Sequence, residues 1–165
     1  MTDATSKDRT QAKADLWTMP GHMIRRLHQA SVSLFLEETE GTGHALTPVQ
    51  YAALCAIRSQ PRLDQATLAG LIAYDRVTIG GVVDRLVQKG LVDRRVSPRD
   101  RRARELVLTT TGDEAVATVT PAVFRAQQRT LDGLDKSERA TFLALLEKAT
   151  AAANDHSRAP LRRTD

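Results

Sequence analysis

Apolar residues recur along this chain with two different spacings, and the changes of spacing divide it into elements. From Pro20 to about Glu40, Met23, Ile24, Leu27, Ala30, Val32, Leu34 and Phe35 occupy more than one face of a helix. A helix apolar on several sides needs more cover than a small domain offers, so the pattern points to a partner subunit. Gly41-Thr42-Gly43 ends it. Thr47-Pro48-Val49-Gln50 reads as a capping box with proline in the first turn. It opens a helix through Tyr51, Leu54, Cys55 and Arg58 that stops at Ser59-Gln60-Pro61. Asp64 caps a short helix carrying Ala66, Leu68, Ala69, Leu71 and Ile72. Asp75 caps the next, in which Ile79, Val82, Val83, Leu86 and Val87 form one buried stripe. Gly90 supplies a left-handed stop, and Leu91 the apolar residue that often follows it.

Two short apolar runs come next, Leu91-Val92 and Leu106-Val107-Leu108, read as strands on either side of an arginine-loaded turn. Thr111-Gly112-Asp113-Glu114 reads as another capping box. It opens a helix through Val116, Val119, Val123, Phe124 and Ala126 that Pro121 should kink or interrupt. Asp135-Lys136-Ser137-Glu138 caps the last helix, apolar at Ala140, Phe142, Leu143, Leu145 and Leu146. Two short helices joined by a tight turn, the second mostly polar on an outer face that offers Val77, Thr78, Gly81, Asp84, Arg85 and Gln88, make a helix-turn-helix. The hairpin after it is the wing. The expected fold is therefore mainly α with a small β-wing.

Charge sharpens this picture. The 165 residues carry a formal net charge of +4, and arginine far outnumbers lysine. Arg94, Arg95, Arg99, Arg101, Arg102 and Arg104 crowd a hairpin too short to bury them, which suits phosphate contact and entry into a narrow minor groove. Cys55 is the only cysteine, so no internal disulfide forms and a cytoplasmic setting is expected. No apolar run approaches the roughly 20 residues that span a bilayer, so no membrane partner is expected. Residues 1–15 lack the apolar core of a secretory signal. No phosphate-binding glycine loop, nucleophile elbow or paired-histidine metal motif is present, so neither an enzyme nor a cofactor is expected.

The segments Leu46-Thr-Pro-Val-Gln-Tyr51, Leu68-Ala-Gly-Leu71, Val83-Asp-Arg-Leu86, Lys89-Gly-Leu-Val92, Asp100-Arg-Arg-Ala103 and Leu106-Val-Leu-Thr109 resemble, in order and spacing, the MarR family of bacterial transcription regulators. Pro20-Gly-His-Met-Ile-Arg-Arg-Leu27 resembles the branch that controls aromatic-acid catabolism. The resemblance implies a winged helix-turn-helix domain plus a helical dimerisation region in an obligate homodimer. Residues 1–15 would be a disordered arm and 16–153 a single domain, followed by a flexible tail at 154–165. Within that domain, dimerisation helices at 18–40 and 112–153 would flank a winged helix-turn-helix at 47–109. Two-fold symmetry implies double-stranded DNA carrying an inverted-repeat operator.

On that resemblance Thr78 and Arg85 lead the DNA-binding candidates, with Arg76 and Gln88 behind them and Arg95, Arg99, Arg101 and Arg102 on the wing. Asp100 would fix the wing turn by pairing with Arg102, and Asp84 would hold a wing arginine. Arg85 has an alternative as a surface arginine paired to Asp84 or Asp75. Gly80 and Gly81 depart from the larger residues common in the family. They reflect either close approach to DNA or tolerance of small residues at a packed surface. The effector would be a small aromatic acid, and the chain a repressor that it releases. Its polar candidates are His22, Arg25, Arg26, His28 and Gln29 on the first helix and Tyr51 on the second, with Trp17 closing the pocket; Trp17, His22, Arg26 and Tyr51 are preferred.

Three other readings compete. A redox sensor would use Cys55, which falls mid-helix among apolar neighbours where a thiol is usually inert. A metal site would need Glu37, Glu38, Glu40 and His44, more often a solvated helix end, so no metal is expected. A protein-binding adaptor that never touches DNA would want an apolar wing rather than one loaded with arginine.

Overall fold

The computed structural model of the protein describes residues 16–98 and 104–162. They form six α-helices and one antiparallel strand pair: α1 (Pro20–Thr39), α2 (Pro48–Ser59), α3 (Gln65–Leu71), α4 (Ile79–Gln88), β1 (Val92–Val96), β2 (Arg104–Leu108), α5 (Thr110–Thr130) and α6 (Lys136–Ala153). Among these residues no helix is long and apolar enough to cross a membrane.

Local signals place most of these boundaries. At α2 the Thr47 hydroxyl accepts from the Gln50 N–H at 3.3 Å, while the Gln50 side chain accepts from the Thr47 N–H at 3.2 Å. The Asp64 carboxylate accepts from the Thr67 N–H at 2.7 Å to start α3. Asp75 caps a turn that leads into α4 rather than α4 itself. Its carboxylate accepts from Val77 and Thr78 N–H at 2.8 and 3.2 Å, and its carbonyl from the Ile79 N–H at 2.9 Å. Gly90, at φ +68°, closes α4 while the Leu91 N–H reaches back to the Leu86 carbonyl at 3.0 Å.

Two boundaries correct the sequence reading. Thr109, not Thr111, caps α5: its hydroxyl accepts from the Gly112 N–H at 2.9 Å and donates to the Gly90 carbonyl at 2.7 Å. The Thr109 N–H is also held by the Leu91 carbonyl at 3.2 Å, so the helix begins as soon as β2 ends. Pro121 does not interrupt α5, and its ring lies on the exposed side of the helix. Residues 154–162 lie against the chain: Asn154 brackets the Leu161 backbone (2.8 and 3.4 Å) and the Arg162 N–H donates to the Gly70 carbonyl at 2.9 Å.

The core lies in the winged helix-turn-helix. Leu54, Ile57, Leu68, Ile79, Val83, Leu86, Val92, Leu106 and Val119 are all fully buried. In the wing, Val92 pairs with Leu108 and Arg94 with Leu106. The other edge of β2 is closed by the loop before α3, where the Arg62 N–H meets the Leu106 carbonyl at 3.0 Å and the Leu106 N–H meets the Leu63 carbonyl at 2.9 Å. The remainder is thinly buried. The buried residues of α1 are Phe35 and Thr39, and α6 has none. α1 runs antiparallel to α5, joined by Arg125 to Glu38 and by Arg129 to both Glu37 and Glu38, each at 2.8 Å.

Gly112 marks the tightest junction. A Cβ there would land on the Leu91 carbonyl oxygen, which is backbone and cannot yield. Gly112→Ala is therefore expected to destabilise the protein by about 3 kcal/mol in urea unfolding, far more than an ordinary helical glycine-to-alanine change, which stabilises. Glu38 gives a second expectation. Arg129 and Arg125 hold its carboxyl below the usual carboxylate range. A lowered folded-state value means stability present above the unfolded value near pH 4.5 and lost as pH falls below it. Glu38→Gln should lower the urea midpoint at pH 7 and flatten its decline between pH 5 and 3.

Candidate nucleic-acid interface and effector pocket

The recognition helix is oriented by what it buries. Ile79, Val82, Val83 and Leu86 face the core, which turns Gly81, Asp84, Arg85 and Gln88 outward, and the preceding turn exposes Arg76, Val77 and Thr78. Val77 is 89% exposed, an apolar side chain held in solvent at the leading end of the helix. Thr78 serves its own turn, its hydroxyl 3.1 Å from the Asp75 carbonyl and 3.2 Å from its carboxylate. Among the described residues no carboxylate pairs with Arg76 or Arg85. The alternative partners of Arg85 are engaged elsewhere: Asp75 by its turn, and Asp84 by Arg94 at 2.6 Å. At the far end of α4, the Lys89 ammonium donates to the Ala45 carbonyl and to the Gln50 side chain, tying the helix to the start of α2.

The two glycines of α4 differ. A Cβ at Gly80 would sit 3.3 Å from the Gln65 amide of α3, whereas nothing described lies within 4 Å of one at Gly81. Packing within the chain gives Gly80 a neighbour and leaves Gly81 open on the outward face.

On the wing, the Asp84–Arg94 pair ties β1 to the recognition helix, and Arg95 lies 3.4 Å from Asp93. Asp84 and Arg94, ten residues apart in sequence, are brought together by the turn at Gly90; Arg94 stands among the hairpin arginines but not among the DNA-binding candidates drawn from the sequence. Ser97 is buried and donates to Glu105 at 2.6 Å across the wing. Arg99, Asp100, Arg101 and Arg102 lie outside the described residues.

The effector candidates divide into two groups. Trp17 and His22 meet edge to face, their ring centroids 5.4 Å apart. An Arg25 guanidinium nitrogen lies 3.5 Å from His22 Nδ1, and its other terminal nitrogen donates to Gln29 at 2.9 Å. A guanidinium only donates, so a hydrogen bond in this pair has His22 Nδ1 as its acceptor and leaves Nε2 to meet another group. That nitrogen is enclosed and, among the described residues, has no partner. Arg25 rather than Arg26 therefore touches His22, while Arg26 is exposed one position on.

Tyr51 belongs to a different place. Thr120 donates to the Val116 carbonyl at 2.6 Å, so the Tyr51 hydroxyl donates to Thr120, at 2.9 Å. Its ring lies 6.1 Å from that of Phe35. Phe35 is thirteen positions from His22 along α1, about 20 Å of helix. One chain thus does not gather Tyr51 with Trp17 and His22. Cys55 lies one turn beyond Tyr51, half-buried, and desolvation pushes its thiol up. Among the described residues no group of metal-ligating side chains forms, and Glu37 and Glu38 are taken by arginines.

The MarR family profile matches residues 46–103. NicR of Pseudomonas putida, an HTH-type transcriptional repressor, is 31% identical over 150 residues, covering 87% of this chain and 94% of that protein. The PcaV transcriptional regulator of Streptomyces coelicolor, solved in complex with its natural ligand, superposes with a TM-score of 0.76 at 37% identity, over 84% of this chain and 96% of that one. BpsR of Bordetella bronchiseptica, solved to explain regulation of its DNA binding by 6-hydroxynicotinic acid, superposes with a TM-score of 0.75 at 31% identity, over 81% and 94%.

A raised thiol in apolar surroundings makes a poor nucleophile. Cys55 should react with a disulfide reagent at pH 7.5 at least tenfold more slowly in the folded protein than in urea, and Cys55→Ser should leave DNA affinity in peroxide unchanged. Rapid native labelling, with peroxide weakening DNA binding through Cys55 alone, would install the redox reading instead.

Proposed function

The chain belongs to the MarR family of transcriptional regulators, and from that membership we propose a homodimeric repressor that a small aromatic carboxylic acid releases from an inverted-repeat operator. The observation that carries the DNA reading is the α4 stripe. Its complete burial on one side leaves Arg76, Thr78, Arg85 and Gln88 as a rigid outward row. Such a row enters a major groove, arginine to guanine edges or phosphate, while the wing arginines take the adjacent minor groove. NicR, a repressor, and BpsR, whose DNA binding responds to an acid, support this reading.

The dimer follows from what the chain leaves uncovered. Met23, Ile24 and Leu27 of α1 face Phe142, Leu143 and Leu146 of α6 across a groove of about 500 Å³. Met23, Ile24 and Leu143 are each more than half exposed, too much apolar surface at one end of a chain to remain in water. A second copy covers it, by the two-fold symmetry that also produces paired reading heads.

The effector reading rests on His22. An enclosed ring nitrogen with no partner carries a desolvation cost until a partner arrives, and Trp17 and Arg25 stand beside it. An acid with an aromatic ring supplies the missing parts: a carboxylate for the imidazole and guanidinium, and a ring face for the indole. PcaV, solved with its natural ligand, and BpsR, whose DNA binding is regulated by 6-hydroxynicotinic acid, support it. Release requires the acid to bind the DNA-free arrangement more tightly than the DNA-bound one.

Selection from a random duplex library should return an inverted repeat with half-sites one helical turn apart. Arg85→Ala should weaken binding to it about tenfold to a hundredfold. A panel of benzoate-, salicylate- and nicotinate-type acids should contain one that releases the duplex. His22→Gln should abolish that release while leaving acid-free affinity within about twofold. No enrichment of any sequence would overturn the regulator reading, and enrichment that no acid reverses would overturn the effector reading alone.

A further inference from the structure

The last described residues, 157–162, return from α6 to the helix-turn-helix and stop beside the turn that leads into the recognition helix. Three contacts hold them there. The Asn154 side chain accepts from the Leu161 N–H at 2.8 Å and donates to its carbonyl at 3.4 Å. The Arg162 N–H donates to the Gly70 carbonyl at 2.9 Å, at the end of α3. The stem of Arg162 covers Gly70 closely enough that a Cβ there would lie 3.1 Å from Arg162 Cβ. The result is a depression of about 270 Å³ bordered by Gly70, Tyr74, Asp75, Arg76, Arg158 and Arg162.

Among the described residues the charges of this depression do not cancel: Asp75 is the one carboxylate bordering it, committed to the backbone N–H groups of Val77 and Thr78, and Arg158 lies close enough for its charge to act on it. Arg76, Arg158 and Arg162 stand against it. All three are exposed, and among the described residues none forms an ion pair. A turn capped by aspartate at the leading edge of a DNA-reading helix puts a negative charge where phosphates arrive. The returning segment reverses that sign.

We propose that residues 157–162 form a second DNA-backbone contact of the reading head, in which Arg158 and Arg162 join Arg76 to receive a phosphate at the edge of the groove entered by α4. This rests on the DNA reading above and adds to it an element outside the helix-turn-helix and the wing. Exposed guanidinium groups spaced around a concave surface suit a phosphate, which accepts several N–H donors at once. Because the segment is bonded to α3 through backbone groups, it moves with the reading head and presents its arginines at a fixed place. Contacts of this kind set register and affinity without reading sequence.

The test uses the full-length chain on its selected operator and on a scrambled duplex, with affinity measured by fluorescence anisotropy at several salt concentrations. In a dimer each arginine acts twice. R158Q and R162Q should therefore each make the slope of log affinity against log salt shallower by about 2, and each weaken both duplexes by about tenfold at moderate salt. R158K and R162K, which keep the charge, should retain most of the slope. Both side chains are exposed, so thermal melting of the dimer should be unchanged, separating lost contact from lost fold. A double glutamine variant with wild-type affinity and slope, on a wild-type protein that binds its operator, would overturn this proposal and leave the regulator reading intact. A loss confined to the operator would also overturn it, since it would mean base reading. Wild-type protein that binds neither duplex would remove both.

Discussion

The backbone of Gly90 and Leu91 is the tightest junction of this molecule, the place where recognition helix, wing and α5 meet. The recognition helix ends there with Gly90 at φ +68°, β1 begins two residues later at Val92, and the first turn of α5 is pressed against the Leu91 carbonyl at Gly112. Thr109 bonds both carbonyls, one through its hydroxyl and one through its N–H. Recognition helix, wing and long helix are thus joined within a few residues by hydrogen bonds and a contact that admits no side chain. The Asp84–Arg94 pair repeats the connection between helix and wing on the outer surface. Being exposed, that pair contributes little stability and serves mainly to fix geometry.

This rigidity is confined to one end. The winged helix-turn-helix has a complete core of leucine, isoleucine and valine, whereas α6 buries nothing and α1 buries only its last third. Hydrophobic side chains left out of a core are costly in proportion to their apolar area, about 25 cal/mol per Å². Evolution retains such surface where another surface covers it. The α1–α5 ion pairs at Glu37 and Glu38 hold the uncovered helices in line, so α1 is positioned by charge where it is not positioned by burial.

How much of this was legible in the sequence followed the range of the interaction that decides it. The caps of α2, α3 and α6, the stripe of α4 and the stop at Gly90 depend on residues within four or five positions, and each could be read directly. The start of α5 could not. Thr109 and Thr111 are both able caps, and the choice falls to Leu91, whose carbonyl is eighteen residues from Thr109. The position of residues 154–162 is decided at the same long range, by the bond from Arg162 to Gly70. At the proposed effector site the spacing of His22 and Arg26 by four favours Arg26, yet the Arg25 side chain reaches His22 from three positions away. Tyr51 looked like a member of that site because it is polar and on the next helix. Only the antiparallel packing of α1 on α5 shows that its neighbours are Phe35 and Thr120.

The attachments of the reading head bear on how an acid at His22 could be felt by α4. If the head were held at Leu91 alone, it could pivot on the start of α5, and its position would be insensitive to the other helices. The bond from Arg162 to Gly70 adds a second point, reached from α6. Tyr51–Thr120 and Arg58–Asp113 tie the head to α5 as well, so a displacement of α6 against α5 would act on the head through the Arg162–Gly70 bond. In the proposed dimer α6 borders the same groove as the part of α1 just beyond His22 and Arg25, at Met23, Ile24 and Leu27. A ligand that closes on His22 need then alter only how α1 and α6 share that groove. Its leverage on DNA spacing is bounded by its difference in affinity between the two arrangements, however tightly it binds either one.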